Sequence, residues 1–258
     1  MDEVVTLLHG FTLNGASWDE LVAKVPGRWK WIAPNLRGHG SAPTSAATMD
    51  DCAADLVALW DQLGIERSHV VGYSMGGRLA LHVAVRLPER TRSLLTIGAH
   101  AGLDNGARAT RRQADEALAQ RIERAGVESF VRYWESLPMF AGIKRRGDDF
   151  AAWLHWQRMG NRADGLAASL RGMGAGAMEP LWAELEALDL PCTFVAGEDD
   201  VPLMRAAARL RKAVDRSRIR SVRDSGHSVH FEQPDAAASI LADHLGWAAR
   251  ATSSSTTA

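Results

Sequence analysis

The chain of 258 residues is 46% hydrophobic and 24% charged, ordinary globular usage that excludes a disordered polymer. With 30 Lys and Arg against 31 Asp and Glu, its formal net charge of −1 excludes a global attraction to nucleic acid or to an anionic membrane. Its two cysteines, Cys52 and Cys192, provide neither a disulfide framework nor a metal cluster, and no apolar run approaches the roughly 20 residues that span a bilayer.

The N-terminus, MDEVVTLLHG, has acids where a signal peptide needs a basic leader, so a cytoplasmic protein is expected. Val4 to Leu8 is short, β-branched and continuously apolar, which predicts a strand covered on both faces in a parallel sheet. A helical stretch, Trp18 to Val25, leads to a second apolar run, Trp31 to Pro34, and then to a loop rich in Gly, Ser and Pro, Asn35 to Pro43. Further helices are predicted over Met49 to Leu63, Arg78 to Leu87 and Arg205 to Val214. Further strands are predicted over His69 to Tyr73, Ser93 to Ile97, Thr193 to Ala196 and Ile219 to Val222. This alternation indicates an α/β fold with a mostly parallel sheet flanked by helices. It stops between Asn105 and Leu188, where helical patterns carry Trp134, Trp153, Trp156 and Trp182 and a run of small residues, Gly172 to Ala177. The expected division is a core of residues 1–104 and 189–250, an inserted helical cap of residues 105–188, and a polar, disordered tail of residues 251–258.

Four short segments at predicted strand ends carry chemistry. Gly72-Tyr73-Ser74-Met75-Gly76, extended by Gly77, is a G-x-S-x-G motif between a strand and a helix. Such a turn holds the serine hydroxyl above the sheet on a strained backbone, and small residues flank it because strand and helix approach closely. His9-Gly10-Phe11 ends the first strand. The backbone N–H of Phe11, paired with that of Met75, points two donors at a developing oxyanion. Asp224-Ser225-Gly226-His227 follows the last strand and Gly197-Glu198-Asp199-Asp200 the one before it. The order Ser74, acid, His227 is that of a hydrolase triad, in which the acid fixes the tautomer of the histidine and stabilises its protonated form. Spacing from the strand favours Asp200 over Asp199, and Glu198 is expected to point elsewhere.

With these residues the chain resembles the α/β-hydrolase superfamily over nearly its whole length. The arginine that directly follows the glycines, in Gly72 to Arg78, narrows the resemblance to the 2-succinyl-6-hydroxy-2,4-cyclohexadiene-1-carboxylate synthases, the pyruvate-releasing lyases of menaquinone biosynthesis. Leu7 to Phe11 with Trp18 seven residues on, His100 to Asn105 followed by Arg108, Arg111 and Arg112, the pattern from Trp134 to Phe140, and Arg158 before Asn161 to Ala168 are similar too. The resemblance implies a small-molecule substrate with three carboxylates, bound bidentately by Arg78, Arg112 and Arg158. It also implies pocket positions for Trp134 and Phe140, with plain packing as the alternative for each, and for Tyr73, with support of the serine turn as its alternative; His100 resembles a family histidine, a structural role being its alternative. Residues 100–180 hold 12 Lys and Arg against 10 Asp and Glu, so a positive site must come from positioned side chains.

On this resemblance Ser74, through His227 and Asp200, acts as a base that eliminates pyruvate, with Phe11 and Met75 as oxyanion donors. No metal or organic cofactor, no nucleic-acid partner and no membrane insertion are implied. The superfamily's leading β-hairpin is expected to be missing, since about three residues precede the first strand; the short edge is compatible with a homo-oligomer. The same triad also serves a carboxylesterase or a carbon–carbon bond hydrolase with Ser74 as nucleophile. A non-catalytic receptor on the same scaffold is a third reading, which an intact triad disfavours.

Overall fold

The computed structural model describes residues 3–45 and 47–253. In chain order the elements are β1 (Glu3–Leu8), α1 (Asp19–Lys24), β2 (Trp29–Ile32), α2 (Met49–Gln62), β3 (Ser68–Tyr73), α3 (Met75–Arg86) and β4 (Thr91–Ile97). Then come α4 (Asn105–Glu135), α5 (Asp148–Met159), α6 (Ala163–Met173), β5 (Cys192–Gly197), α7 (Val201–Ala213), β6 (Ser217–Val222), α8 (Val229–Glu232) and α9 (Pro234–Ser253). The six strands form one sheet in the order β2-β1-β3-β4-β5-β6, and every neighbouring pair runs parallel.

The apolar runs become strands because both faces of the sheet are covered. Leu8, Val70, Leu94 and Phe194 face a core shared with α2, α3 and α7. Their neighbours Leu7, Val71, Leu95 and Val195 face the opposite core, with α1 and α9. Strand alternation sends successive side chains to opposite sides, so a continuous apolar run fills two cores at once. The insert between β4 and β5 has its own small core, in which Ala119, Ile122, Phe130 and Val131 of α4 pack on Leu166, Ala167 and Leu170 of α6. Helix α4 is broken at Gly126, whose φ of 76° and ψ of 169° lie outside the helical region; a kink at glycine needs no further cause.

Three elements depart from the sequence reading; one is α7, which opens at Val201 rather than Arg205, with Pro202 in its first turn. Helix α3 begins at Met75 rather than Arg78, because the glycines inside its first turn serve close packing instead of helix propensity: a Cβ on Gly76 would overlap the Leu8 carbonyl oxygen. Helix α9 is absent from the expected elements, although Pro234 opens it, a position where proline is favoured. It continues through residues 251–253, which corrects the expected tail there; residues 254–258 lie outside the described residues.

Several histidines fill buried positions. His244 bridges the hydroxyls of Thr193 and Ser93, each at 2.8 Å. Burial pulls the pKa of His244, His230 and His9 down to about 3, and that of His39 to about 4. In the unfolded chain each would take a proton near 6.5, so between that pH and its folded value the unfolded state binds more protons and stability rises with pH. Acidification from pH 6.5 is expected to cost up to about 1.4 kcal/mol per pH unit for each such histidine, read as a falling urea midpoint. A midpoint flat between pH 6.5 and 5 would contradict neutral burial.

Candidate active site

Ser74 stands between β3 and α3 with φ 52° and ψ −110°, a backbone region that costs on the order of 1–3 kcal/mol for a residue with a Cβ. Its N–H donates to the Ile97 carbonyl at 2.9 Å and its carbonyl accepts the Arg78 N–H at 3.0 Å, which hold the strained turn from β4 and from α3. The flanking glycine permits it, because a Cβ on Gly72 would overlap the Gly76 carbonyl. Gly72→Ala is therefore expected to lower stability by about 2 kcal/mol, measured by urea unfolding; an unchanged midpoint would show that the turn relaxes freely.

His227 Nε2 lies 2.9 Å from Ser74 Oγ, and its Nδ1 lies 2.8 Å from Asp200 Oδ2. Geometry separates the neighbouring acids. Asp200 caps α7, its second oxygen accepting the Leu203 N–H at 3.2 Å, so its carboxylate is fixed beside the imidazole. Glu198 instead accepts from the Ser221 hydroxyl at 3.1 Å, and the Asp199 amide donates to the Ser225 carbonyl at 2.9 Å. Donation of Nδ1–H to Asp200 leaves Nε2 to accept the Ser74 proton. Gly98, with φ +60°, makes room for the ring, since a Cβ there would sit 3.3 Å from His227 Cε1.

The amide of Met75 is the first of α3, where helical N–H groups have no intrahelical acceptor. Phe11 lies in the turn closed by Leu13 N–H on the Gly10 carbonyl at 3.2 Å. His9 braces this turn: its Nδ1 donates to the Gly10 carbonyl at 2.9 Å and its Nε2 accepts the Leu36 N–H at 3.0 Å. Those two bonds demand the neutral ring that burial enforces.

A cavity of about 260 Å³ opens over Ser74. Arg78, Arg111 and Arg158 line it, and Asp200 is the only carboxylate among its lining residues. Arg78 is buried and donates to the Met173 carbonyl at 2.6 Å. Burial, with Arg111 nearby, pulls its pKa to about 10, so it stays cationic at neutral pH. Arg111 pairs with Asp115 at 2.7 Å and Arg158 with Glu135 at 3.1 Å. Burial also lowers the pKa of Arg158, against the opposing pull of Glu135. Two buried donors in this wall, Arg158 Nε and the Trp134 indole N–H, have no acceptor among the described residues, as expected where a polar ligand completes the hydrogen bonding. His100 Nδ1 accepts the Gly102 N–H at 3.0 Å. Burial beside Arg78 and Arg111 holds its pKa near 3, so the neutral ring carries its proton on Nε2.

Ser74, Asp200, His227, Phe11, Met75, Arg78, Arg158, Tyr73, Trp134 and Phe140 all border this cavity. Arg112 does not. It faces an outer groove with Asn105, Arg108 and Glu116, because one helical residue turns a side chain by about 100°. Arg111 stands where Arg112 was expected; each of the two has an acid four residues on, Asp115 and Glu116, so the i,i+4 spacing in the sequence does not set the register, although the structure pairs Arg111 with Asp115. Tyr73 both borders the cavity and braces the histidine loop, its hydroxyl 2.7 Å from Ser228 Oγ.

A profile of the alpha/beta hydrolase family matches residues 7–240. The chain is 36% identical to a Bacillus subtilis (strain 168) protein provisionally named 2-succinyl-6-hydroxy-2,4-cyclohexadiene-1-carboxylate synthase, over 94% of this chain and 90% of that one. It is 30% identical to the enzyme of that name from Enterobacter sp. (strain 638), over 93% of this chain and 91% of the relative. Among solved structures it matches MenH from S. aureus with a TM-score of 0.90 at 26% identity, covering 95% of this chain and 94% of the other.

Proposed function

The chain belongs to the alpha/beta hydrolase family, and within it we propose a lyase of menaquinone biosynthesis that eliminates pyruvate from 2-succinyl-5-enolpyruvyl-6-hydroxy-3-cyclohexene-1-carboxylate, giving 2-succinyl-6-hydroxy-2,4-cyclohexadiene-1-carboxylate. The reading agrees with relatives of that name at 30–36% identity over nearly the whole chain. The observation that carries it is a Ser-His-Asp base facing a cavity lined by three guanidinium groups.

Ser74 Oγ, its proton drawn by His227 Nε2, takes a proton from the ring carbon that bears the succinyl group. The electron pair moves through the ring double bond, the carbon–oxygen bond to the enolpyruvyl group breaks, and the departing enolate takes up one proton at its methylene carbon, replacing the one lost from the ring, to become pyruvate. Charge accumulates on the succinyl ketone oxygen, where the Phe11 and Met75 amides stabilise it; one such donor is worth about 2.7–4 kcal/mol of barrier. Asp200 keeps the imidazole oriented and stabilises it when protonated. Arg78, Arg111 and Arg158 receive the carboxylates, with the Trp134 indole N–H and the His100 Nε2–H as neutral donors. Proton transfer and elimination on this route require no metal or organic cofactor.

The substrate is a small polycarboxylate, and the reading takes the enzyme to be cytoplasmic, independent of nucleic acid and of membrane insertion. Among the described residues no helix is long and apolar enough to cross a membrane. A homo-oligomer is compatible with the open β2 edge of the sheet. The test supplies the enzymatically generated enolpyruvyl tricarboxylate and follows pyruvate. Release well above the uncatalysed rate is expected; no release, with efficient turnover of p-nitrophenyl esters instead, would replace the lyase with a hydrolase.

A further inference from the structure

The loop that carries His227 is gripped by a carboxylate outside the triad. Glu232, at the end of α8, has a side chain with no solvent exposure. Its Oε2 accepts the Gly226 N–H at 2.9 Å and its Oε1 accepts the Ser228 N–H at 3.0 Å. These are the amides of the residues on either side of His227, so one carboxylate holds the backbone just before the histidine and the peptide that follows it. A buried carboxylate is costly unless charged or N–H donors compensate it, and Arg145 supplies the third donor at 3.1 Å.

Arg145 belongs to the cap segment Pro138–Arg146, and the same guanidinium donates to the Asp224 carbonyl at 2.8 Å. Asp224 has φ 51°, a left-handed conformation that persists only where the surroundings impose it. Gly142, in the same segment, packs so closely that a Cβ there would overlap Glu232 Oε2. The segment also brings Met139 and Phe140 to the cavity wall. The histidine loop and part of the substrate cavity therefore share one buried anchor.

We propose that Glu232 is a positioning residue for the general base: through the amides of Gly226 and Ser228 it sets the His227 ring between Ser74 and Asp200, and through Arg145 it ties that setting to the cap segment. The inference rests on Ser74 and His227 being the reacting pair, and not on which substrate they serve.

Glu232→Gln keeps the shape but turns one acceptor into a donor facing an N–H. The probe is a small fluorophosphonate, which labels an activated serine whatever its natural substrate. A wild type that labels at Ser74 but releases no pyruvate would thus sink the lyase reading and leave this one testable. Labelling of the variant is expected to be about 10- to 100-fold slower, the cost of a small misplacement of a reacting group. The far-downfield proton resonance of His227 Nδ1–H should shift or vanish with it, which a purely structural role would leave alone. Labelling within about twofold of wild type in a folded variant, or slow labelling with that resonance unmoved, overturns the proposal. If Glu232→Gln does not fold, Arg145→Ala decides: its side chain is half exposed and its loss leaves the carboxylate in place. A slowing of about threefold with a shifted resonance is expected there, and an unchanged rate and resonance overturns the proposal.

Discussion

Ser74→Ala is expected to reduce pyruvate release by about 10⁴-fold or more, while the substrate's dissociation constant changes by less than about threefold. The split follows from the division of labour in the cavity. On the proposed mechanism Ser74 contributes the one atom that touches the reacting proton, and His227 Nε2 lies 2.9 Å behind that atom, so its removal leaves a gap between imidazole and substrate. On the same reading binding belongs to Arg78, Arg111 and Arg158, none of which contacts the serine hydroxyl among the described hydrogen bonds. Single-turnover pyruvate release and calorimetric titration measure the two quantities separately. A variant retaining more than about a tenth of the activity would mean that His227 takes the ring proton itself and that the serine is a bystander.

The parts of this site that are legible in the sequence are those whose constraint is local. The turn at Ser74 needs glycines at fixed offsets because backbone atoms of Leu8 and Gly76 crowd it, and that requirement is written within five consecutive residues. The strands are legible because a sheet with two covered faces turns into continuous apolar runs. Asp200 is legible through its distance from the end of β5, and the structure adds a reason, the cap it provides for α7. What escapes is set by angle or by distance along the chain. Arg111 and Arg112 are chemically identical neighbours, and only the phase of α4 decides which one enters the cavity. Glu232 and Arg145 meet across 87 residues, and the carboxylate's other partners are backbone amides, which have no residue signature at all. Helix α9 buries Ala237, Ala238, Leu241 and Leu245 at helical spacing against α1 and β4, a stripe in which only two of the four residues are large, so its apolar signal in the sequence is weak.

Arg78→Ala is expected to lower kcat/KM for the tricarboxylate by about 10²- to 10³-fold, and to change turnover of a neutral p-nitrophenyl ester by less than about fivefold. Arg111 and Arg158 each already face a carboxylate of the protein, Asp115 and Glu135, so part of their charge is neutralised before any ligand arrives. Arg78 is held only by the Met173 carbonyl and has no carboxylate within ion-pair distance among the described residues, which makes it the cation with most to gain from an arriving anion. A buried guanidinium in that position carries a desolvation cost of several kcal/mol in the empty enzyme, visible as its pKa drawn down to about 10. Removing it should therefore leave the thermal midpoint unchanged or raised while activity falls, the pattern of a residue kept for function at the expense of stability. Arg78→Lys keeps the charge but loses the planar fork, so it cannot hold the Met173 carbonyl and grip a carboxylate bidentately at once. Its activity is expected between wild type and Arg78→Ala. Equal losses on the tricarboxylate and on the neutral ester, with a lowered midpoint, would instead make Arg78 a strut beneath α3 and move recognition to Arg111 and Arg158.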